Sequence, residues 1–247
     1  MRRWETLDRA RTPERIDLTL NRCGRDLHIL ADGRGLMSSD MHGSEEALAA
    51  FGTVRARTRT GATVLVGGLG MGFTLRAALD VMPPDATVVV AELLAAVIAW
   101  NRGPLGPLAG WPLDDPRTVV AEGDVGALLR RSVGRFDAIL LDVDNGPRAF
   151  TQEGNASLYS DAGLAVARAA LAPEGTLAVW SAWDDKKFEH RLRHAGFIVE
   201  VRNVRARLAG GGPNHTIFLG FLDDGSGAAA VQRLRPGERP DGLGKRR

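Results

Sequence analysis

From residue 62 onward, short apolar runs alternate with stretches of helical period. Residues 63–66 are β-rich and run into glycines, and Leu75, Ala78, Leu79 and Met82 then recur at helical spacing until Pro83-Pro84 stops them. Residues 86–91 predict a second buried strand, followed by a helix through Leu94, Val97 and Ile98. Residues 118–121 predict a third, with Val125, Leu128 and Leu129 marking its helix. Residues 136–141 predict a fourth, and a longer loop leads to a helix carrying Leu164, Ala167 and Leu171. Pro173-Glu174-Gly175 turns into a fifth, residues 176–180. A helix with Phe188, Leu192 and Ala195 comes next, and Asp184-Asp185 suits its positive N-terminus. Residues 197–201 and 215–221 predict two last strands with no helix between them.

Apolar strands alternating with helices imply a mostly parallel sheet covered on both faces. The last two strands lack a crossover helix, so they are expected to pair antiparallel. The predicted fold class is α/β: a doubly wound, mostly parallel seven-stranded sheet whose last strand is antiparallel. That pattern distinguishes the class I S-adenosylmethionine (SAM) methyltransferase-like fold from a dinucleotide fold. Residues 1–60 precede it as a small N-terminal β-hairpin domain. Residues 16–20 and 27–30 alternate around a polar turn, a second turn follows at Asp32-Gly33-Arg34-Gly35, and residues 44–51 predict a helix with Ser44 as N-cap. Residues 61–222 form the main domain. Residues 223–247, rich in Gly, Ala, Pro and Arg, are expected to be a disordered tail.

Charge adds little to this picture. The net charge is +2, and residues 223–247, with six Lys/Arg and four Asp/Glu, account for all of it. The folded part is neutral, which argues against a nucleic-acid partner. No apolar run is long enough for a membrane span, and no apolar segment of signal-peptide type follows Met1-Arg2-Arg3. The single cysteine, Cys23, forms no internal disulfide and no Cys-cluster metal site, in keeping with a reducing, cytoplasmic setting.

The candidate chemistry begins at Gly67-Gly68-Leu69-Gly70-Met71-Gly72, between a strand and a helix. Glycines there let backbone approach a ligand closely, and the helix N-terminus faces it. Counted from Gly68, the dinucleotide fingerprint requires a third glycine where this chain has Phe73. The spacing G-x-G-x-G is that of SAM-type loops. Glu92 ends the second strand, where a carboxylate can accept both ribose hydroxyls. Asp124 ends the third strand, within reach of an adenine amino group, with Val125 beside it. For either acid alone the alternative is a helix cap. Ligands in open α/β sheets bind at these carboxyl ends. Gly67, Gly68, Gly70, Gly72, Glu92, Asp124, Val125 and Asp142 are therefore the candidate nucleoside-binding residues.

The fourth strand ends in Asp142-Val143-Asp144-Asn145-Gly146-Pro147. Alkylating an amine requires its neutral form, and a free alkyl amine has pKa ~10.4. A carboxylate can hold the ammonium and take its proton, so Asp142 and Asp144 are candidate catalytic residues. The alternative leaves Asp142 with the cofactor and Asp144 capping a turn. Tyr159 lies in the covering loop, and Trp180 and Trp183 offer a cation-binding wall or core packing. His42 is an acceptor-pocket or a surface histidine; His28, His190, His194 and His215 show no metal spacing. Arg55, Arg57 and Arg59 form a basic cluster expected to be solvated.

These residues resemble the spermidine synthase (polyamine aminopropyltransferase) family over most of residues 16–222. The likeness runs through Glu46, Gly68-Leu69-Gly70-Met71-Gly72, Thr74-Leu75-Arg76, Glu92, Gly123-Asp124 and residues 136–142. It continues at Gly146-Pro147, Leu158-Tyr159 and residues 171–175. It implies a transferase that binds decarboxylated SAM, or SAM, and alkylates a small-molecule amine without a metal. It further implies a dimer or tetramer, with a homodimer expected here; Glu46 and Tyr159, together with Trp183 of the aromatic wall, are the candidate substrate-binding residues. Departures fall on the acceptor side. Met71 stands where the family has an aspartate that grips the aminopropyl ammonium, and Ser44-Glu45-Glu46 replaces Tyr-His-Glu. Aminopropyl transfer, methyl transfer and a non-catalytic nucleoside-binding role all remain open at this point.

Overall fold

The computed structural model describes residues 3–13, 15–143, 157–207 and 211–223. Asp144, Asn145-Gly146-Pro147 and the segment from Asp224 onward lie outside the described residues.

Two sheets are present. The first is an antiparallel meander of β1 (Glu5–Arg11), β2 (Asp17–Cys23), β3 (Asp26–Ala31) and β4 (Arg34–Ser38) in sequential order. The expected hairpin is its centre, β2–β3, and the sequence pattern did not announce β1. That strand lies at the sheet edge, most of its side chains are exposed, and an irregularity between Thr6 and Asp8 breaks its alternation.

The second sheet has seven strands. They are β5 (Thr63–Gly67), β6 (Thr87–Glu92), β7 (Thr118–Glu122), β8 (Phe136–Leu141), β9 (Leu171–Ser181), β10 (Ile198–Arg205) and β11 (Asn214–Phe221). Their spatial order is β10-β11-β9-β8-β5-β6-β7. Pairing is parallel from β7 to β9, and β11 is antiparallel to both β9 and β10. This is the expected doubly wound architecture with its antiparallel last strand. The turn expected at Pro173-Glu174-Gly175 lies inside β9, where Glu174 takes φ 60° and the register against β8 shifts.

The strands are apolar on both faces because both faces are covered. Val64 and Val66 of β5 point into one core, and Leu65 into the other. On the first face lie α1 (Gly43–Gly52), α2 (Phe73–Val81) and α3 (Ala95–Asn101), together with Leu18, Leu20, Leu27 and Ile29 of the meander. The meander therefore shares its core with the main sheet. On the second face lie α4 (Val125–Arg130), α5 (Asp161–Ala170) and α6 (Lys186–His194). Among the described residues no helix is long and apolar enough to cross a membrane.

Two local expectations need correcting. Ser44 is not the N-cap of α1; His42 is, and Ser44 is fully buried inside the first turn. The arginine cluster is tied down rather than solvated. Arg59 bonds Asp137 Oδ1, Glu174 Oε2 and the Pro173 carbonyl, each at 2.7 Å. Arg55 donates to the Leu222 carbonyl at 2.8 Å, and Arg57 donates to that of Ala50.

Candidate functional site

The sheet changes winding direction at β5, whose neighbours β6 and β8 are crossed by helices on opposite faces. A crevice opens there at the carboxyl ends of the strands. The glycine loop is stitched to both sides of it. Gly68 N–H donates to the Ala91 carbonyl at 2.9 Å, and Asp142 N–H donates to the Gly67 carbonyl at 2.8 Å. Gly68 has φ +91°, and a Cβ there would lie 2.3 Å from the Asp142 carbonyl oxygen. Only glycine fits that position.

The crevice is a pocket with a bare backbone floor at Gly68, Gly70, Ala91 and Gly123. Three acids line it, Glu92, Asp124 and Asp142. Its roof is apolar: Leu18 of β2, Ile29 of β3, and Leu36 and Met37 of β4. Val97, Val125 and Val143 complete the walls. Among the described lining residues there is no Lys or Arg. A phosphate would therefore meet carboxylates with no cation to hold it, whereas a neutral diol or a sulfonium meets a favourable field.

Each acid already has local work. Glu92 is nearly buried; its Oε2 accepts from Leu69 N–H and its Oε1 from Leu94 N–H, both at 2.9 Å. It thus fixes the glycine loop while facing the pocket. Asp124 caps α4 by accepting from Ala127 N–H at 2.7 Å, so the cap and the pocket position coexist in one residue. Asp142 follows directly on β8, and its Oδ2 accepts from the Thr74 hydroxyl at 2.5 Å. Burial pushes the Asp142 carboxyl up to about 6, against the downward pull of Thr74.

The structure divides the remaining candidates. Gly67 and Gly72 belong to the loop but not to the pocket wall: Gly67 packs against Leu141 and Val125, and Gly72 is the N-cap of α2. Met71 is buried in the core. Tyr159 is buried as well, edge-on to Phe188, with its hydroxyl donating to the Val143 carbonyl at 3.3 Å. That bond reaches the backbone of Val143, which lines the pocket. Trp183 is 40% exposed and lies off the pocket wall. Glu46 turns to His42, its Oε1 lying 2.9 Å from Nδ1, and His42 stacks on Phe73. The acid that feels the charge of Asp142 is instead its neighbour Glu45. Burial, and then the Asp142 charge, push Glu45 up to about 7, opposed by Ser44, its backbone N–H and His42. Two carboxyls whose charges repel do not both ionise readily.

Glu45 was legible in principle. The buried stripe of α1 contains Leu48 and Ala49, and stepping back one turn lands on Ser44 and Glu45. No group of three or more metal-ligating side chains occurs among the described residues.

No protein-family model matches the chain, and no curated protein matches it in sequence. Its likeness is to solved structures. A spermidine synthase in complex with the transition-state analogue AdoDATO superposes with a TM-score of 0.68 at 17% identity, covering 88% of this chain and 72% of that one. The fold is that of the spermidine synthases. The enzyme from Thermotoga maritima superposes similarly, with a TM-score of 0.69 at 18% identity over 88% of this chain and 73% of its own. The spermidine-synthase fold thus extends across the meander and the seven-stranded sheet alike.

Proposed function

We propose that the protein is a transferase that binds a SAM-type nucleoside and alkylates a small amine, by aminopropyl transfer. The observation that carries this reading is Asp142, a half-buried carboxyl just after β8 on the wall of an acid-lined pocket with no Lys or Arg among its described lining residues. The floor left bare by Gly68 and Gly70 suits close approach of a nucleoside, Glu92 suits a ribose diol, and the apolar roof suits a base and thioether. When bound, the sulfonium supplies an electrophilic carbon. Asp142 holds the acceptor's ammonium, orients it and takes its proton. In this reading Asp144 assists from just beyond Val143.

Methyl transfer from SAM is the second reading, favoured by Met71. Met71 is buried in the core and the glycine loop puts no acid on the described pocket lining, so the loop neither attracts an aminopropyl ammonium nor repels a carboxylate. Calorimetry against decarboxylated SAM, SAM, methylthioadenosine and adenosylhomocysteine decides between them. Glu92→Gln is expected to weaken both product nucleosides together by about 1.5–3 kcal/mol, the worth of a charge-assisted hydrogen bond. Unchanged affinity for both ligands takes Glu92 out of the site. Binding without release of methylthioadenosine or adenosylhomocysteine, with any amine, refutes the transferase.

A further inference from the structure

Asp142 is held at three points, and one of them is a side chain. Its backbone N–H donates to the Gly67 carbonyl at 2.8 Å, and Gly68 lies so close that a Cβ there would come within 2.3 Å of the Asp142 carbonyl oxygen. The third point is the carboxyl itself, where the Thr74 hydroxyl donates to Oδ2 at 2.5 Å. Thr74 is the second residue of α2 and is buried. Branching at Cβ leaves its side chain few rotamers, and a buried hydroxyl needs a partner. The turn that leads into it is pinned as well. Gly72 N–H donates to the Leu69 carbonyl at 2.8 Å, and Asn101 Nδ2, at the end of α3, donates to that of Gly70 at 2.8 Å. The other carboxyl oxygen, Oδ1, accepts from none of the described residues.

We propose that Thr74 is a positioning residue for the alkyl transfer: its hydroxyl fixes Oδ2 of Asp142, so that Oδ1 takes the acceptor amine's proton. This rests on the alkyl-transfer reading. A proton arriving at Oδ1 leaves the Thr74 bond in place, whereas one arriving at Oδ2 competes with it. The acceptor ammonium gives one N–H proton to Oδ1. The lone pair so freed on nitrogen forms the new C–N bond, and the electron pair of the cleaved C–S bond stays on sulfur. Oδ1 returns the proton to water when the pocket empties. Thr74 is not on the pocket wall and acts through Asp142. It holds the orientation of the carboxylate, on which the rate depends steeply, and it favours the anion, pulling the carboxyl down against the rise that burial imposes. The other titratable groups around Asp142 are Glu92 and Asp124 on the pocket wall and Glu45 on α1. Glu45 Oε2 accepts from the Ser44 hydroxyl at 2.6 Å, and Ser44 Oγ lies 2.8 Å from His215 Nδ1. All three are acids, so among the described lining residues no cation shares the task of Thr74.

Thr74→Val removes the hydroxyl and keeps the branched shape. Carbon NMR of the Asp142 carboxyl in the ligand-free protein is expected to place its titration about one pH unit higher in the variant, because a hydrogen bond is stronger to an anion than to a neutral acid. An unchanged midpoint overturns the proposal, and this readout needs no turnover. If the valine variant does not fold, Thr74→Ala, which adds no bulk, carries the same measurement. In steady-state assays Thr74→Val is expected to lower kcat about 10-fold at pH 8, short of the ~10²–10⁴-fold worth of the base itself. The loss is larger at pH 6, where the higher midpoint leaves less of the anion, and acceptor KM and nucleoside affinity stay near wild type. Thr74→Ser keeps the donor and recovers both the midpoint and most of the rate, which a packing role for the side chain does not allow. Full kcat in Thr74→Val at both pH values, or a serine variant no better than the valine one, overturns the assignment. A wild-type protein that alkylates no amine refutes the transferase reading instead, and the NMR midpoint still decides whether Thr74 governs the carboxyl.

Discussion

Removing the charge of Asp142 is expected to make the protein more stable while making it inactive. Its carboxyl rises from the ordinary 3.8 to about 6 in the folded protein, chiefly because burial penalises the anion. A folded-state value above the unfolded one means the native state prefers the proton. The penalty for ionisation is absent below pH 3.8, grows between 3.8 and about 6, and is complete above that. At about 1.4 kcal/mol for each pKa unit, the rise corresponds to roughly 3 kcal/mol. Asp142 borders the pocket, and water there reduces the penalty to about 1–3 kcal/mol. Asp142→Asn keeps an acceptor for the Thr74 hydroxyl, and its amide group can meet pocket water. It also relieves Glu45, whose rise from 4.5 to about 7 extends the same pH dependence upward. For a chain of this length the gain corresponds to about 2–10 °C in Tm at pH 8. Thermal unfolding followed by circular dichroism at pH 4.5, 6 and 8 checks it. The gap between variant and wild type should open as pH rises and narrow to about a third of its full size at pH 4.5. If the variant is less stable at pH 8, or the gap does not change with pH, Asp142 is not a strained anion and its place as a proton acceptor loses its physical basis.

Gly68→Ala puts a methyl group 2.3 Å from the Asp142 carbonyl oxygen and a side chain at φ +91°. Left-handed strain alone costs about 1–2 kcal/mol, and the backbone contact adds to it, so both melting temperature and nucleoside affinity are expected to fall. Normal affinity in a folded variant would show that the loop tolerates a side chain. Arg59→Ala leaves Asp137, which also accepts from Thr63 N–H, without its guanidinium partner. A loss of about 1–3 kcal/mol in urea unfolding is expected, with nucleoside binding unchanged; no loss would return this arginine to the solvated cluster that its sequence suggests.

What was legible in the chain follows from how local each signal is. Strands β5, β6 and β8 are covered on both faces, so nothing interrupts their apolar runs. The bare floor at Gly68 and Gly70 and the strand-end acids Glu92, Asp124 and Asp142 also follow from local pattern, since each sits where a strand stops. Glu45 escaped because its role depends on helical phase and on a partner at the end of β8. The roof escaped for a different reason: Leu18, Ile29 and Met37 on half-buried strands look like ordinary core residues until the meander is laid across the crevice. His215 has no metal spacing and no motif, and only the fold brings it to Ser44.

The placement of β11 has a consequence for how the chain is made. It is the last strand in sequence among the described residues, yet it sits between β9 and β10 and is bonded to both. Until it emerges, β9 is an open edge and β10 has nothing to pair with. Between the completion of β9 and the arrival of β11 the growing polypeptide therefore presents an unpaired sheet edge, a state prone to self-association. Inserting Ile217, Phe218 and Leu219 seals the sheet, because these side chains feed the cores on both of its faces. The same event delivers His215 to Ser44. One strand thus both closes the open edge of β9 and carries the histidine that meets Ser44.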